Sequence, residues 1–321
     1  MNYAIWKKNF NDARLLLLAL ALYVIIFSWA RVYIVSELDT SQFRQILDLL
    51  PDSLKSFTPV DFEWLISYTG RIAFNFDEPM LVGAIAIWCI ARASDVVSGQ
   101  LSGGTMEMLL AQPVSRLSHY SIHCLVTLLG VLIISLATWF GMWAGVSTAT
   151  VEITTKPELN IPYLGIGIPM PFLPDKTEMV PMRQLVDCMS FWPGVVNLFT
   201  LGFFLTAMTA FFSSWDMYRW RTIGIVTGIY VIAALIKVMA MSIERLAWTS
   251  YFSFFSLYEP EVAIAEIDRD PNIAYQWVME SSNGIVSLGP LSQNAIYLGW
   301  GLAFFVVGFI LFRRRDLPAP L

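Results

Sequence analysis

Six long runs of apolar residues alternate with polar segments along the chain. Each run has roughly the length that an α-helix needs to cross a bilayer, about 20 residues. The second run is the weakest. Its apolar part ends near Ala93, and it continues only past Arg92 and Asp95, which are neighbours on one helix face. The pattern predicts an all-α integral membrane protein with six transmembrane helices, at residues 15–35, 79–97, 118–145, 191–213, 222–241 and 291–312.

The longer polar segments are predicted to be loops on the side of the membrane away from both termini, within one domain over residues 1–321. These outer loops are residues 36–78, 146–190 and 242–290. The first contains two short amphipathic patterns, at residues 42–50 and 61–68. The second contains six prolines, a density that disfavours regular structure and predicts an irregular loop.

Basic residues indicate how the spans are oriented. They are concentrated at the termini and in the short connections between spans two and three and between spans four and five. The outer loops contain more acidic residues than basic ones. Because Lys and Arg in short loops favour the cytosolic side, we expect both termini in the cytosol and the chain in the cytoplasmic (inner) membrane.

The first 14 residues are amphipathic, with Trp6 and Phe10 among the apolar positions and Lys7 and Lys8 among the basic ones. Such a segment can lie in the headgroup region as an interfacial helix. An ordinary basic flank before the first span explains the same residues, so both interpretations stay open.

A signal peptide is a further alternative for the N-terminal region. Lys7, Lys8 and the small residues Ser28 and Ala30 fit a charged leader with a cleavage site. The apolar run over 15–35 is longer than a signal-peptide core, which favours an uncleaved first helix.

A polar island rich in Gly and Ser, residues 93–116, separates the second and third spans. Inside it, residues 106–111 have a short helical pattern. Thr105 can cap the start of this helix, Glu107 suits its first turn, and Pro113 ends it. Met106, Met108, Leu109 and Leu110 make the helix too apolar for a free loop. We therefore expect it to meet either the membrane surface or the groove of a partner.

Composition excludes several function classes. The chain has 321 residues, is 56 % hydrophobic and has a mean hydropathy of +0.60, values typical of a multi-span membrane protein. Its net charge of −5 disfavours nucleic acid as a partner. No Gly-rich phosphate loop occurs, so we do not expect the chain itself to hydrolyse ATP. The three cysteines do not suggest a disulfide framework.

Three further features carry candidate chemistry. His119 and His123 have a spacing that can chelate metal, but no third ligand is apparent, and we expect them to line the inner end of the third span. Lys237, near the outer end of the fifth span, is either a pathway residue or a snorkelling lysine. Gly224 and Gly228 give the fifth span a small face for close helix packing.

The island resembles one family, the permease subunits of ABC-2-type transporters. Residues 104–110, GTMEMLL, and 113–116, PVSR, match the pattern Gly-Thr-Leu-Glu-x-Leu-Leu…Pro-Val-Ser-Arg that these permeases carry after their second span. Residues 253–260 are similar to their aromatic-proline stretch before the last span, and 312–317 to their C-terminal ending. Residues 98–102 depart from the acidic run that relatives often have there.

The resemblance implies that the short helix is a coupling helix in the cleft of a separate ABC ATPase, which binds the ATP and Mg; the chain itself needs no cofactor. It also implies an N-terminal elbow helix bearing Trp6, Lys7 and Lys8, and a second permease copy or paralogue as a partner within the lipid bilayer. The residues predicted to couple to the ATPase are Thr105, Met106, Glu107, Met108, Leu109, Leu110, Pro113 and Arg116.

The favoured function is a permease subunit that moves a substrate across the cytoplasmic membrane with ATP hydrolysed by another subunit. A rival is a non-transporting anchor or mechanotransmission subunit that works with an ATPase on an extracytoplasmic partner. The long acidic outer loops keep this rival open. An intramembrane enzyme is disfavoured, because the spans contain no paired catalytic residues.

Overall fold

The computed structural model describes residues 2–38, 62–110, 115–155, 158–161, 166–169, 176–280 and 286–315. The helix predicted at residues 42–50 lies outside this part of the chain. The α-helices that the structure describes are α1 (Asn2–Glu37), α2 (Phe62–Ile66), α3 (Tyr68–Ala73), α4 (Pro79–Ala93), α5 (Gln100–Ser102), α6 (Thr105–Leu110), α7 (Arg116–Thr148), α8 (Trp192–Trp215), α9 (Arg219–Ser242), α10 (Pro260–Arg269) and α11 (Pro290–Arg314).

Six helical segments are long and apolar enough to cross a membrane, which confirms the predicted all-α membrane fold. They are built on α1, α4, α7, α8, α9 and α11. Span two is a composite that runs from Tyr68 to Ser102, because short helical turns flank α4 on both sides. Pro79 opens α4 at a position where its missing N–H costs nothing.

The fourth span lies at the centre of the bundle and the fifth at its periphery. In α8, 72 % of the residues of the apolar window are buried, against 11 % in α9. The α8 helix packs against α11, α7 and α4, whereas α1 packs mainly along α7.

Polar contacts also connect the ends of the helices. Arg116 at the start of α7 donates to the carbonyl of Phe312 near the end of α11. Arg92 at the end of α4 donates to the carbonyl of Asn9 in α1. We call this side of the bundle, where α1 begins and α11 ends, the terminal face.

Glycines set how closely the first and third spans approach. A Cβ at Gly141 would lie 2.6 Å from the Ile25 carbonyl oxygen, and one at Gly145 would lie 2.6 Å from the Cβ of Val32. Gly224 and Gly228 of α9 are different, because no described atom lies within 4 Å of a Cβ at either position. The close packing predicted for these two glycines is therefore not made within the described chain.

The N-terminal residues do not form a separate helix. The α1 helix runs from Asn2 to Glu37 without a break, so the predicted elbow helix is not confirmed as a distinct element. At 1.5 Å per residue, a helix of 36 residues is longer than the bilayer core is thick. Its first turns therefore extend beyond the apolar run and contribute to the terminal face.

The second outer loop contains strands, so the prediction that residues 146–190 are irregular is wrong. In this loop β1 (Thr150–Thr155) pairs antiparallel with β4 (Lys176–Pro181), and β2 (Glu158–Ile161) with β3 (Ile166–Pro169). The prolines Pro169 and Pro181 are the last residues of their strands, where the missing N–H removes little of the ladder. In the third loop β5 (Val278–Glu280) pairs with β6 (Val286–Leu288).

Buried hydroxyl groups join the spans on the side opposite the terminal face. Tyr258, fully buried before α10, donates from its hydroxyl to the Phe76 carbonyl at 2.8 Å. Tyr297 of α11 donates to the Phe254 carbonyl at 2.8 Å. These bonds satisfy the phenol groups inside an apolar core and connect spans two and six to the third outer loop.

Glu259 adjoins this buried layer and carries an unusual carboxyl group. Its pKa is raised from the usual 4.5 to about 7, mainly by burial and in addition by the neighbouring Glu261, while Lys237 lowers it. The folded chain therefore binds the carboxyl proton of Glu259 more tightly than the unfolded chain does. The contribution of this proton to folding stability is fully present below pH 4.5 and is lost as the pH rises through 7.

Replacement of Glu259 by Gln should therefore change how stability depends on pH. Relative to wild type, Glu259→Gln is expected to have the higher melting temperature above pH ~8, with the difference shrinking towards pH ~4. Differential scanning fluorimetry of the full-length protein in lipid nanodiscs measures this. Glu178→Gln, at an exposed carboxylate on the same side, is the control and should follow wild type. A difference that is constant across this pH range would contradict the assignment.

Candidate functional site

The connection between the second and third spans lies on the terminal face. It consists of a π-helical turn (Asp95–Gly99) after α4, followed by the short helices α5 and α6. The residues nearby come from the first turns of α1, the start of α7 and the end of α11. Residues of three other spans therefore surround the island that the sequence singled out.

Met106 anchors α6 to the bundle. Its side chain is 1 % exposed and packs in a small apolar cluster that includes Val96, Tyr120 and Phe312. Two residues further on, Met108 is 70 % exposed. The prediction grouped both methionines as a surface for a partner. In this structure Met106 serves instead as the internal anchor, because it faces the cluster and Met108 faces away.

Gly104 and Thr105 fix where α6 begins. Gly104 has a φ of +67°, in the left-handed region that favours glycine, and so it turns the chain into the helix. The Thr105 hydroxyl donates to the side-chain oxygen of Gln100 at 2.7 Å. The described structure thus gives Thr105 a partner in α5. Of the other predicted residues, Glu107, Leu109 and Leu110 lie on α6, whereas Pro113 lies outside the described residues.

Arg116 is used inside the chain. Its guanidinium donates to the carbonyl groups of Phe312, Arg313 and Arg315, at 2.9 to 3.2 Å. These carbonyls lie at the C-terminal end of α11, where the helix has no backbone N–H groups left to bond them. The predicted role of Arg116 as a contact to an ATPase is untested, but its side chain already ties span three to span six.

The π-helical turn is held by a serine of α8. The Ser213 hydroxyl oxygen accepts from the backbone N–H groups of Val97 and Ser98, at 3.2 and 3.0 Å, and its proton is donated to the Ser94 carbonyl. All of these groups are buried. A π turn breaks the normal ladder of a helix, and such turns are frequent at functional sites. Here one side chain from another span replaces the missing bonds.

The two histidines of α7 bind this turn and the end of α4 before it. His119 Nε2 lies 3.1 Å from the Val96 carbonyl, and His123 Nε2 lies 2.8 Å from the Arg92 carbonyl. A carbonyl only accepts, so both nitrogens carry the proton. Within the described residues no group of three or more potential ligands could hold a metal ion. The i,i+4 spacing that suggested chelation is used here to bind two successive turns of span two.

Arg219, at the start of α9, reaches the end of α4. Its guanidinium donates to the Ala91 carbonyl at 2.9 Å and to the Ser94 hydroxyl at 3.3 Å, and it pairs with Asp95 at 3.6 Å. The sequence offered Arg219 only as a topological marker and Asp95 only as a continuation of the helix. Gln100 and Ser213 were missed altogether, since nothing in their local pattern distinguishes them from solvated polar residues.

A cavity of about 350 Å³ opens between α1 and α6. It is lined on one side by Lys8 and on the other by Met108.

The remaining predicted residues lie outside this cavity. Trp6 is partly buried against the core, whereas Lys7 is exposed. Lys237 lies on the opposite side of the bundle, where its ammonium donates to the Tyr258 carbonyl at 2.7 Å.

The chain matches the family model described as ABC-2 family transporter protein over residues 3–317, nearly its whole length. The chain belongs to this family, whose members are the membrane-spanning components of ATP-binding-cassette transporters. It is therefore a multi-pass membrane protein of the transport machinery, and the family is not itself catalytic. No curated protein matches the chain.

The anchoring of α6 by Met106 can be tested with a matched pair of variants. Met106→Ala should lower the local free energy of opening of α6 by about 2 kcal/mol, because it leaves a cavity in a buried cluster. Met108→Ala should change it by less than ~0.5 kcal/mol, because that side chain is exposed. Hydrogen–deuterium exchange of the α6 backbone amides measures both. Equal effects of the two substitutions would contradict the anchoring.

Proposed function

We propose that the chain is a permease subunit whose α6 docks against a separate ABC ATPase. In this proposal both termini and the terminal face lie in the cytosol, and the chain resides in the cytoplasmic membrane. The partner binds the ATP and Mg and hydrolyses the ATP. The observation that supports it most strongly is the construction of α6, a short helix held from inside by Met106 that presents Met108 outward on the terminal face.

The energetics of α6 favour a protein partner. Met108 is 70 % exposed, and the sequence places Leu109 and Leu110 directly after it. Full burial of an apolar side chain is favourable by roughly 1.5–3 kcal/mol, so burial of this segment by a partner is strongly favourable. Gly104 and the Thr105–Gln100 bond fix the start of the helix, and a fixed helix loses less entropy on docking.

A second permease, identical or related, completes the proposed pathway. A bundle of six spans with α8 at its centre leaves little room for a channel within one chain. The fifth span is peripheral, and a Cβ added at Gly224 or Gly228 would have no described neighbour within 4 Å, a pattern that suits close approach of another helix. Closure of the ATPase dimer would displace α6 in each permease and re-orient the spans to move a substrate.

A double substitution separates this proposal from an α6 that only rests on the membrane surface. Leu109→Asp/Leu110→Asp would place unpaired charge in an apolar cleft, which is strongly unfavourable. We expect the variant to insert and to keep its fold, because the spans are untouched. It should lose the ATPase on purification together with substrate-dependent ATP turnover. Co-purification stoichiometry and ATPase assays measure this.

Ser102→Asp is the matched control, because it adds charge at an exposed residue of the same connection outside α6. It should retain the ATPase. If the double variant keeps the ATPase at wild-type stoichiometry and activity, docking through α6 is wrong. If wild-type protein co-purifies with an ATPase that acts on an extracytoplasmic partner and no substrate crosses the membrane, the mechanotransmission alternative replaces transport.

A further inference from the structure

A continuous chain of polar contacts links α6 to the fifth span. It begins with the Thr105 hydroxyl, which donates to Gln100 Oε1 at 2.7 Å. Gln100 Nε2 donates to Asp95 Oδ2 at 2.9 Å, and Asp95 Oδ1 pairs with Arg219 Nη1 at 3.6 Å. Arg219 in turn donates to the Ala91 carbonyl of α4 at 2.9 Å. Each link joins a different element, so the chain runs from α6 through α5 and the π turn to α9.

The chemistry of this chain fixes the role of Gln100. A carboxylate can only accept, so the amide nitrogen of Gln100 must face Asp95 and its oxygen must face Thr105. The two ends of one amide thus bind two elements in a defined order. No other neutral side chain of this length offers both a donor and an acceptor, and Glu, its isostere, would set a second carboxylate against Asp95.

The residues around the π turn are closely packed. A Cβ at Gly99 would lie 2.2 Å from Asp95 Oδ1 and 3.3 Å from the Cδ of Arg219. A second set of bonds runs beside the first, in which the Thr222 hydroxyl of α9 donates to Ser98 and Ser98 contacts Ser213 of α8 at 3.1 Å. The end of span two therefore cannot shift without moving the contacts to α8 and α9.

We propose that Gln100 is a positioning residue that passes a displacement of α6 to the fifth span through Asp95 and Arg219. This inference rests on the proposed function, in which a partner ATPase moves α6. It goes further by naming the path and the span that responds first. The π turn is the element through which the displacement passes, because Gln100, Ser213 and Arg219 all bind residues of this turn.

The path itself can be tested without any partner. Full-length protein in lipid nanodiscs is measured by hydrogen–deuterium exchange at the α6 amides. Gln100→Glu and Arg219→Met should each raise the exchange rate of α6 about fivefold, equivalent to about 1 kcal/mol. The double variant should exchange no faster than the more affected single variant, because both changes break one chain.

The control for Arg219 is Arg221→Met, on the same helix two residues away. Arg221 pairs with Asp216 at 3.4 Å and has no described contact with the chain of residues above. It should leave α6 exchange unchanged. If the effects of Gln100→Glu and Arg219→Met on α6 exchange were additive, or if Arg221→Met had an equal effect, the inference would be overturned. The contacts would then only stabilise their own surroundings.

The second experiment adds the ATPase and reads out movement. A spin label at Trp220→Cys, an exposed site next to Arg219, reports on the end of α9. In the wild-type complex its spectrum should change when ATP is added. Asp95→Ala should abolish this change while the ATPase stays bound, and Asp95→Glu, which keeps the carboxylate, should restore it. A merely structural role for Asp95 would not separate binding from movement.

The two proposals fail in different ways. If no ATPase binds the wild-type protein, the proposed function fails even where the exchange experiment supports the path. If the ATPase binds Asp95→Ala and the label at position 220 still responds to ATP as in wild type, the inference is overturned while the proposed function stands.

Discussion

The end of the second span depends on hydrogen bonds that its own helix does not supply. At the π turn Asp95–Gly99 the regular ladder is broken, and in an apolar environment every unpaired backbone group is costly. Side chains of three other spans bind backbone groups in this turn and in the last turn of α4 before it: His119 and His123 from α7, Ser213 from α8 and Arg219 from α9. The same bonds therefore determine how α4, α7, α8 and α9 are arranged at the terminal face, and they place α6 where it stands.

This constraint gives the two sides of the bundle different properties. On the side opposite the terminal face, Tyr258 and Tyr297 close the spans against the outer segments through buried bonds, and Lys237 joins the same layer. On the terminal face, the polar contacts converge on a helix that leaves Met108 exposed. The α6 helix is thus accessible through Met108 and connected to the spans through Met106 and Thr105.

The sequence predicted the six candidate spans, because an apolar run of sufficient length has few alternatives in a membrane protein. It also placed α6, since glycine before it and proline after it are strong local signals. It did not reveal the inward turn of Met106, because a helix of six residues is too short for its periodicity to show which side is buried. It mistook residues 146–190 for an irregular loop, because proline density does not show that Pro169 and Pro181 end strands. The contacts of Gln100, Ser213 and Arg219 are properties of the assembled bundle, and no local pattern contains them.

In the proposed function, α6 is the part of this chain that an ABC ATPase contacts. The most direct test places a photo-crosslinking amino acid at Met108, in cells that co-express the ATPase, and at the exposed Met179 of β4 as the control. We expect position 108 to crosslink to a protein identified by mass spectrometry as an ABC ATPase, and position 179 not to do so. The absence of an ATPase crosslink at position 108, or its presence at position 179, would contradict the claim.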